Sequence, residues 1–356
     1  MLVAMSGGVD SSVAAALLLE QGYQVVGVTL RLWTLEDPLA PRLRRRCCSA
    51  QDTEDARAAA DLLGIPHYVL NFERPFQARV VDYFVEEYAR GRTPNPCLAC
   101  NQHIKFGPLL DYARALGCHY LATGHYVRRR LGPQGYELWR ARDAHKDQSY
   151  VLYMLGQEEL ARTLFPIGDY TKEEVRALAR RLGLPNADKP DSADICFVPD
   201  GDYRSFLRQR LPVAPGPIVD RQGRVLGQHT GIVDYTVGQR RGLPARGGGR
   251  PLYVLAVEAA ANAVVVGDEE ELYAWGAECE GLSFVSGRPP AGALEVEAKV
   301  RYRAPTVPAL LTVAGERGEV RFQEPQRAVT PGQALAFYQG ERLLGGGLIR
   351  QPLGGP

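Results

Sequence analysis

A short apolar strand, Leu-Val-Ala-Met at 2–5, runs directly into Ser6-Gly7-Gly8-Val9-Asp10-Ser11-Ser12 and then into a helix rich in Ala and Leu. A strand that passes at once into a long helix must return along that helix before it pairs again, so its neighbour in the sheet is parallel. The same alternation continues through VVGVTL, DARAAADLLG and HYVLNF to about residue 126. It predicts an α/β fold whose N-terminal part is a parallel-sheet nucleotide-binding domain, with ligands gathered at the C-terminal ends of the strands.

The turn at 6–12 carries its own chemistry. Two glycines let backbone approach an anion, the serines donate hydrogen bonds, and a helix N-terminus adds positive potential. No G-x-x-x-x-G-K-[ST] string occurs anywhere in the chain, which removes the loop used for γ-phosphate transfer. The turn instead resembles the SGGxDS loop (PP-loop) of N-type ATP pyrophosphatases, which have the adenine nucleotide alpha hydrolase-like fold. That resemblance implies cleavage of ATP between its α and β phosphates, with Ala4, Met5, Ser6, Gly7, Gly8, Val9, Asp10 and Ser11 around the nucleotide and Leu30 and Gly124 beside it. Mg2+ is the cation expected from the family.

Further along, a helix through FQARVVDYFVEEYA leads to RTPNPCLACNQHIKFG, where two prolines predict a stiff loop. Thr171 and Glu174 form a capping box opening EEVRALARRLG. After about residue 200 the runs become short and β-rich (PIVD, GRVLG, LYVLAV, AVVVG). From about 275 they lengthen and alternate, as in ALEVEAKVRYR, ALLTVAG, EVRFQ and ALAFYQG. The expected organisation is residues 1–200 as a catalytic domain with a helical extension, 201–274 as a small β-rich central domain, and 275–356 as a C-terminal antiparallel β-barrel.

The chain has 356 residues and no apolar run long enough for a membrane helix, and its start lacks a basic segment followed by an apolar one. Cytoplasmic location and no membrane partner are the expectation. There the seven cysteines are thiols, and a close pair suits a metal or redox chemistry. Cys97 and Cys100 form such a pair, and Cys196 in DICF supplies a third thiol. Cys47, Cys48, Cys118 and Cys279 have no matching spacing and read as buried or incidental. Net charge is only +1, but arginines gather at Arg42 and 44–46, at 128–130, at Arg240 and Arg241, and at Arg301 and Arg303. Such runs suit RNA phosphates or plain solvated faces equally.

TPNPCxxCN, ATGHY at 122–126, KDQSY at 146–150, DICF at 194–197 and YTVGQRRGL at 235–243 together resemble transfer-RNA-specific 2-thiouridylases of the bacterial MnmA type, over essentially the whole chain. The resemblance implies adenylation of the C2 oxygen of the wobble uridine in glutamate, glutamine and lysine transfer RNAs, then attack by sulfur. Cys100 would be the nucleophile and Cys196 the persulfide carrier, with an upstream sulfur donor such as a cysteine desulfurase relay. Cys97 stands where many relatives have Asp. Cys97, Cys100 and Cys196 as ligands of a 4Fe-4S cluster are the competing source of sulfur, and zinc is a further option. The resemblance also implies that the barrel at 275–356 binds transfer RNA, with contacts expected from Asn95, Pro96, Cys97, His125, Lys146, Asp147, Gln148, Arg301, Tyr302, Arg303 and Gln333. Two other functions compete: another adenylating ligase with the same loop, which leaves the three cysteines without a role, and a non-enzymatic sulfur carrier, which leaves the loop without one.

Overall fold

The computed structural model describes residues 1–33, 50–191, 195–198, 201–244 and 250–355. The chain begins β1 (Leu2–Ala4), α1 (Val9–Glu20), β2 (Val26–Arg31), α2 (Ala50–Leu63) and β3 (His67–Asn71). Next come α3 (Glu73–Phe76), π-helical turns at Gln77–Val81 and α4 (Asp82–Ala89), then α5 (Pro96–Cys100), a second π-helical stretch at Asn101–Leu109 and α6 (Leu110–Ala115). β4 (Leu121–Thr123) is followed by a hairpin of β5 (Val127–Gly132) and β6 (Gly135–Arg140), then by α7 (Gln157–Ala161), β7 (Thr163–Leu164) and α8 (Lys172–Arg181).

As the strand–helix alternation predicts, the first sheet is wholly parallel, in the order β3-β2-β1-β4-β7, with Leu2 opposite both Val26 and Leu121. Period-two alternation in β1 sends Leu2 to one core and Val3 to another, so the sheet is covered on both faces. Val13, Ala14 and Ala15 of α1 are fully buried, and small residues there let the sheet, α2 and α8 all approach the helix.

α9 (Tyr203–Arg208) leads to four short strands, β8 (Gly216–Val219), β9 (Val225–His229), β10 (Tyr253–Glu258) and β11 (Ala263–Gly267), ordered β10-β11-β8-β9 around Ile218, Val254, Val264 and Val266. Last come β12 (Tyr273–Phe284), β13 (Leu294–Lys299), β14 (Val307–Ala314), β15 (Arg317–Arg327), β16 (Ala334–Gln339) and β17 (Arg342–Leu353). β12 pairs with both β15 and β17, which closes these six antiparallel strands into the expected barrel.

Two local expectations change. The β5–β6 hairpin, which holds the arginines at 128–130, was not foreseen; β6 pairs with β17 and ties the first unit to the barrel. Those arginines are occupied within it: Arg128 donates to the Arg140 carbonyl at 2.6 Å, Arg129 lies 4.6 Å from the Tyr136 ring centre, and Arg130 5.2 Å from Trp139. The expected strand ALEVEAKVRYR stops at Lys299, because Arg301 folds inward to bond the carbonyls of Val237 and Ala328. Among the described residues no helix is long and apolar enough to cross a membrane.

Candidate functional site

Ser6 to Gly8 fill the turn between β1 and α1. Gly7 adopts φ +73°, and a Cβ there would lie 2.1 Å from the Asp52 carbonyl oxygen, so only glycine fits between the two helices. Gly8 occupies the N-cap position of α1 with no side-chain hydrogen bond to the helix. The first-turn amides thus lack a side-chain cap, an arrangement that suits a phosphate. Gly124, at the end of β4, packs on this turn; a Cβ on it would meet the Ser11 nitrogen at 2.7 Å. Ala4 and Met5 lead into the turn, Ser11 donates to the Gly8 carbonyl at 3.0 Å, and Leu30 is buried on β2.

Around the loop lies a charged shell of which sequence reading named Asp10 and Lys146 but missed Lys172, Lys189 and Asn186. Lys172 is only 7% exposed, yet its ammonium reaches Asp10 at 2.7 and 2.8 Å and Asp191 at 2.7 Å. The Tyr126 hydroxyl donates to Asp10 at 2.7 Å, and Lys146 pairs with Asp191 at 2.7 Å. Burial pushes the Asp191 carboxyl up, but Lys146 and Lys172 outweigh it and hold it at about 2. Lys189 bonds Asp52, Asp55 and the Gly7 carbonyl; burial disfavours its charge, but the two carboxylates leave its pKa raised. Asn186 also donates to the Gly7 carbonyl, at 3.2 Å. One signal was available for Lys172: it opens α8, where the helix dipole disfavours a cation.

The thiol segment is helical rather than the loop its prolines predict. Pro96 takes the first helical position, where its missing N–H costs nothing, and the Asn95 side chain caps the helix by accepting from the Cys97 amide at 3.0 Å. Cys97 is exposed, and Cys100, three residues on, is buried at 8%. Cys196 packs against the same apolar core as Cys100. Its neighbour Phe197 is anchored by Phe84 and Phe206 at 5.4 Å each and Phe76 at 5.7 Å. Among the described residues no three Cys, His, Asp or Glu side chains form a group able to hold a metal ion. Cys97 is exposed, Cys100 buried and Cys196 half-buried, and Cys97 and Cys100 lie three residues apart around one helical turn. Cys279 lies in the barrel core with its thiol pushed up to about 12 by burial; Cys118 is half-buried; Cys47 and Cys48, like Arg42 and 44–46, lie outside the described residues.

A hydrogen-bond path runs from the loop to Asn101, the residue after Cys100. Tyr126 holds Asp10 and donates its amide to Gln148 at 2.9 Å; the Gln148 carbonyl accepts from the Val151 amide at 3.1 Å; and Asn101, next to Cys100, donates to the Val151 carbonyl at 2.8 Å. Asp147 is buried and accepts from Ala141 and Ser149, so it shapes this turn. His125 is buried against Phe106 and Phe165, shares a 2.7 Å hydrogen bond with Thr123, and is held well below the ordinary histidine value by burial, hence neutral.

From the barrel, Gln333 donates to the Thr93 carbonyl at 2.7 Å, and the Thr93 amide donates to the Pro331 carbonyl at 2.9 Å. Tyr302 is half-buried, 6.1 Å from Tyr150; burial raises its hydroxyl, with further contributions from Asp147 and Cys97, which places the ring near both. Arg303 is exposed, whereas Arg301 is turned into the domain boundary.

Residues 1–200 match the family described as the tRNA methyl transferase HUP domain, 204–268 the tRNA methyl transferase PRC-barrel domain, and 277–349 the aminomethyltransferase beta-barrel domain. The chain is 54% identical to the tRNA-specific 2-thiouridylase MnmA of Roseiflexus castenholzii over 368 residues, covering 98% of each. It is 52% identical to the protein of the same name from Moorella thermoacetica, again over 98% of each, and 52% identical to that of Carboxydothermus hydrogenoformans, over 99% of this chain and 98% of the other. Glycine loop, paired thiols and three-part architecture agree with this likeness, and the chain belongs to the tRNA-specific 2-thiouridylase family.

Proposed function

We propose that this enzyme adenylates the C2 oxygen of uridine 34 in the transfer RNAs for glutamate, glutamine and lysine and replaces that oxygen with sulfur, releasing AMP and pyrophosphate. The observation that carries this reading is the path from the uncapped end of α1 through Asp10, Tyr126 and Gln148 to Asn101 beside Cys100. It runs from the glycine turn to the residue beside a buried thiol, and neither a plain ligase nor a sulfur carrier needs both. Transfer of a methyl group, the activity in the description of the matching family, gives the turn no task.

In the first step the uracil O2 attacks the α-phosphorus and pyrophosphate leaves toward the α1 N-terminus. Lys172 and Lys189 balance charge around the departing group. Mg2+ suits this site, since a magnesium ion needs only one or two carboxylates besides phosphates, and Asp10 and Asp191 already share the Lys172 ammonium. Bound there, it would neutralise phosphate charge.

In the second step the terminal sulfur of a persulfide on Cys196 attacks C2 and AMP departs. Cys100 then attacks the Cys196 sulfur, leaving a Cys100–Cys196 disulfide that an external thiol must reduce. The burial of Cys100 and half-burial of Cys196 against one apolar core support this route. The persulfide sulfur would come from a cysteine desulfurase relay in the cytoplasm. Half-buried Asn95 and exposed Cys97, next to the barrel-bound Thr93, and exposed Arg303 with Tyr302 are the RNA-facing contacts this reading favours.

The test is AMP release and 2-thiouridine formation on unmodified transfer RNA, with iron and acid-labile sulfide measured on the same anaerobic protein. Iron-free protein is expected to thiolate, and Cys100→Ser and Cys196→Ser each to lose at least about 10³-fold in thiolation while still binding RNA. Absence of RNA-dependent AMP formation would overturn the reading; activity that rises and falls with about four irons per chain would return the sulfur step to a cluster.

A further inference from the structure

YTVGQRRGL, in the central unit, has no role in the adenylation and sulfur-transfer steps proposed above. In the structure it forms one wall of a cleft of about 460 Å³ whose other wall is α9, with Arg204, Arg208, Asp234, Tyr235, Gln239 and Arg241 in the lining. Arg204 and Arg208 lie one helical turn apart on α9, a spacing at which like charges repel unless something compensates them. Compensation inside the protein is incomplete. Asp234 pairs with Arg208. Arg204 meets only neutral acceptors, the Asp234 carbonyl at 3.1 Å and the Gln239 side chain at 3.4 Å. Arg241 is exposed and its side chain has no partner among the described residues. The cleft's remaining carboxylate, Asp202, is occupied in capping α9, accepting from the Ser205 amide and hydroxyl. Three guanidinium groups therefore face two carboxylates, one paired with Arg208 and the other capping α9, which leaves an excess of positive charge in the cleft.

The opposite face of α9 locates this charge relative to the reaction. Phe206 packs at 5.4 Å from Phe197, the residue beside Cys196, and Tyr203 lies 5.3 Å from Tyr88. The basic cleft and the sulfur-bearing cysteine thus lie on opposite sides of one helix, a body about 10–12 Å across with its side chains.

We propose that this cleft is a phosphate subsite that takes the RNA backbone a few nucleotides from the base being thiolated, with Arg204 and Arg241 as the phosphate ligands and Asp234 holding Arg208 in place. This rests on the function proposed above and adds to it the surface along which the RNA strand leaves the catalytic centre. Guanidinium groups suit the role, since each presents paired N–H donors to phosphate oxygens.

The experiment is equilibrium binding of an unmodified transfer RNA transcript to the full chain across a salt series. Arg204→Gln/Arg241→Gln is expected to weaken binding about tenfold at moderate salt and to reduce the slope of log K against log salt by about 1 to 2, as loss of one or two phosphate contacts requires. Arg241→Glu, a change at an exposed residue that leaves α9 untouched, is expected to weaken binding in the same direction and guards against misfolding of the double variant. Wild-type affinity and slope in Arg241→Glu and in a folded double variant would overturn the proposal and leave the cleft to a protein partner. Failure of the wild-type chain to bind the transcript would instead count against the function itself.

Discussion

Lys172 shows how much a single residue at this site can carry. An ammonium at a helix N-terminus and almost out of water is disfavoured twice, by the dipole and by desolvation, the latter worth several kcal/mol when the charge is unpaired. It is held because Asp10 and Asp191 both bond it. Removing the charge alone should leave two carboxylates facing each other beside the phosphate loop. Lys172→Met is therefore expected to lower RNA-dependent AMP release by about 10²-fold or more while transfer RNA affinity changes by less than about threefold. AMP release measured under saturating RNA checks this, and near-normal turnover would reduce Lys172 to a structural ion pair.

At the scale of the element, α1 and the helices bearing Cys100 are shaped by residues that relieve a backbone conflict. Gly7 lets the Asp52 carbonyl approach the loop; Gly7→Ala places a methyl where that oxygen lies and forces a positive φ on alanine. The expected cost is about 2–4 kcal/mol, read as a lower urea midpoint, together with loss of the shift in melting temperature that ATP gives the wild-type protein. Pro108 acts differently. It lies inside the π-helical stretch Asn101–Leu109, where it has no N–H to offer and its ring would press on the carbonyl of Ile104 in a tighter α turn. The wider turns place Asn101, one residue past Cys100, at the start of the π segment, fully buried and bonded to Val151.

For the whole molecule, the decisive contacts are those that clamp three units around one segment. Gly91 packs on the Val257 carbonyl of the central sheet, Arg92 pairs with Glu280 of β12 at 2.8 Å, and Thr93 bonds Pro331 and Gln333 of the barrel. Arg301 joins the central unit to the barrel through the Val237 carbonyl at 3.3 Å, the Ala328 carbonyl at 3.1 Å and Thr330 at 2.5 Å, and burial pulls its pKa below the ordinary arginine value. Arg301→Met should leave the Val237 carbonyl without this donor, the Ala328 carbonyl keeping Thr330, at a cost of about 1–3 kcal/mol. We expect the variant to lose cooperativity between units, seen as a broadened or split calorimetric transition, and to lose thiolation more than it loses ATP binding. A single sharp transition at the wild-type temperature would show that the hairpin and the Arg92–Glu280 pair suffice.

Features written over a few neighbouring residues were legible in the chain by itself. The strand–glycine turn–helix at 2–20, the period-two runs of the barrel, the capping box of Thr171 with Glu174 and the thiol spacing at 97 and 100 depend on local sterics and short-range periodicity, which composition and order express directly. Their outcome is a parallel sheet, a closed barrel and a capped helix, as the residues imply. Tertiary structure decided what each polar side chain faces. Arg301 and Asp147 read from sequence as RNA contacts, but Arg301 is turned inward to the Val237 and Ala328 carbonyls, Asp147 is buried holding its own turn, and His125 loses its charge between two phenylalanines. The convergence of Lys172, Lys189 and Asn186 on a loop more than 160 residues earlier in the chain has no local signature at all. Burial and charge pairing at that separation follow from how sheets and helices pack, and so only the folded molecule reveals them.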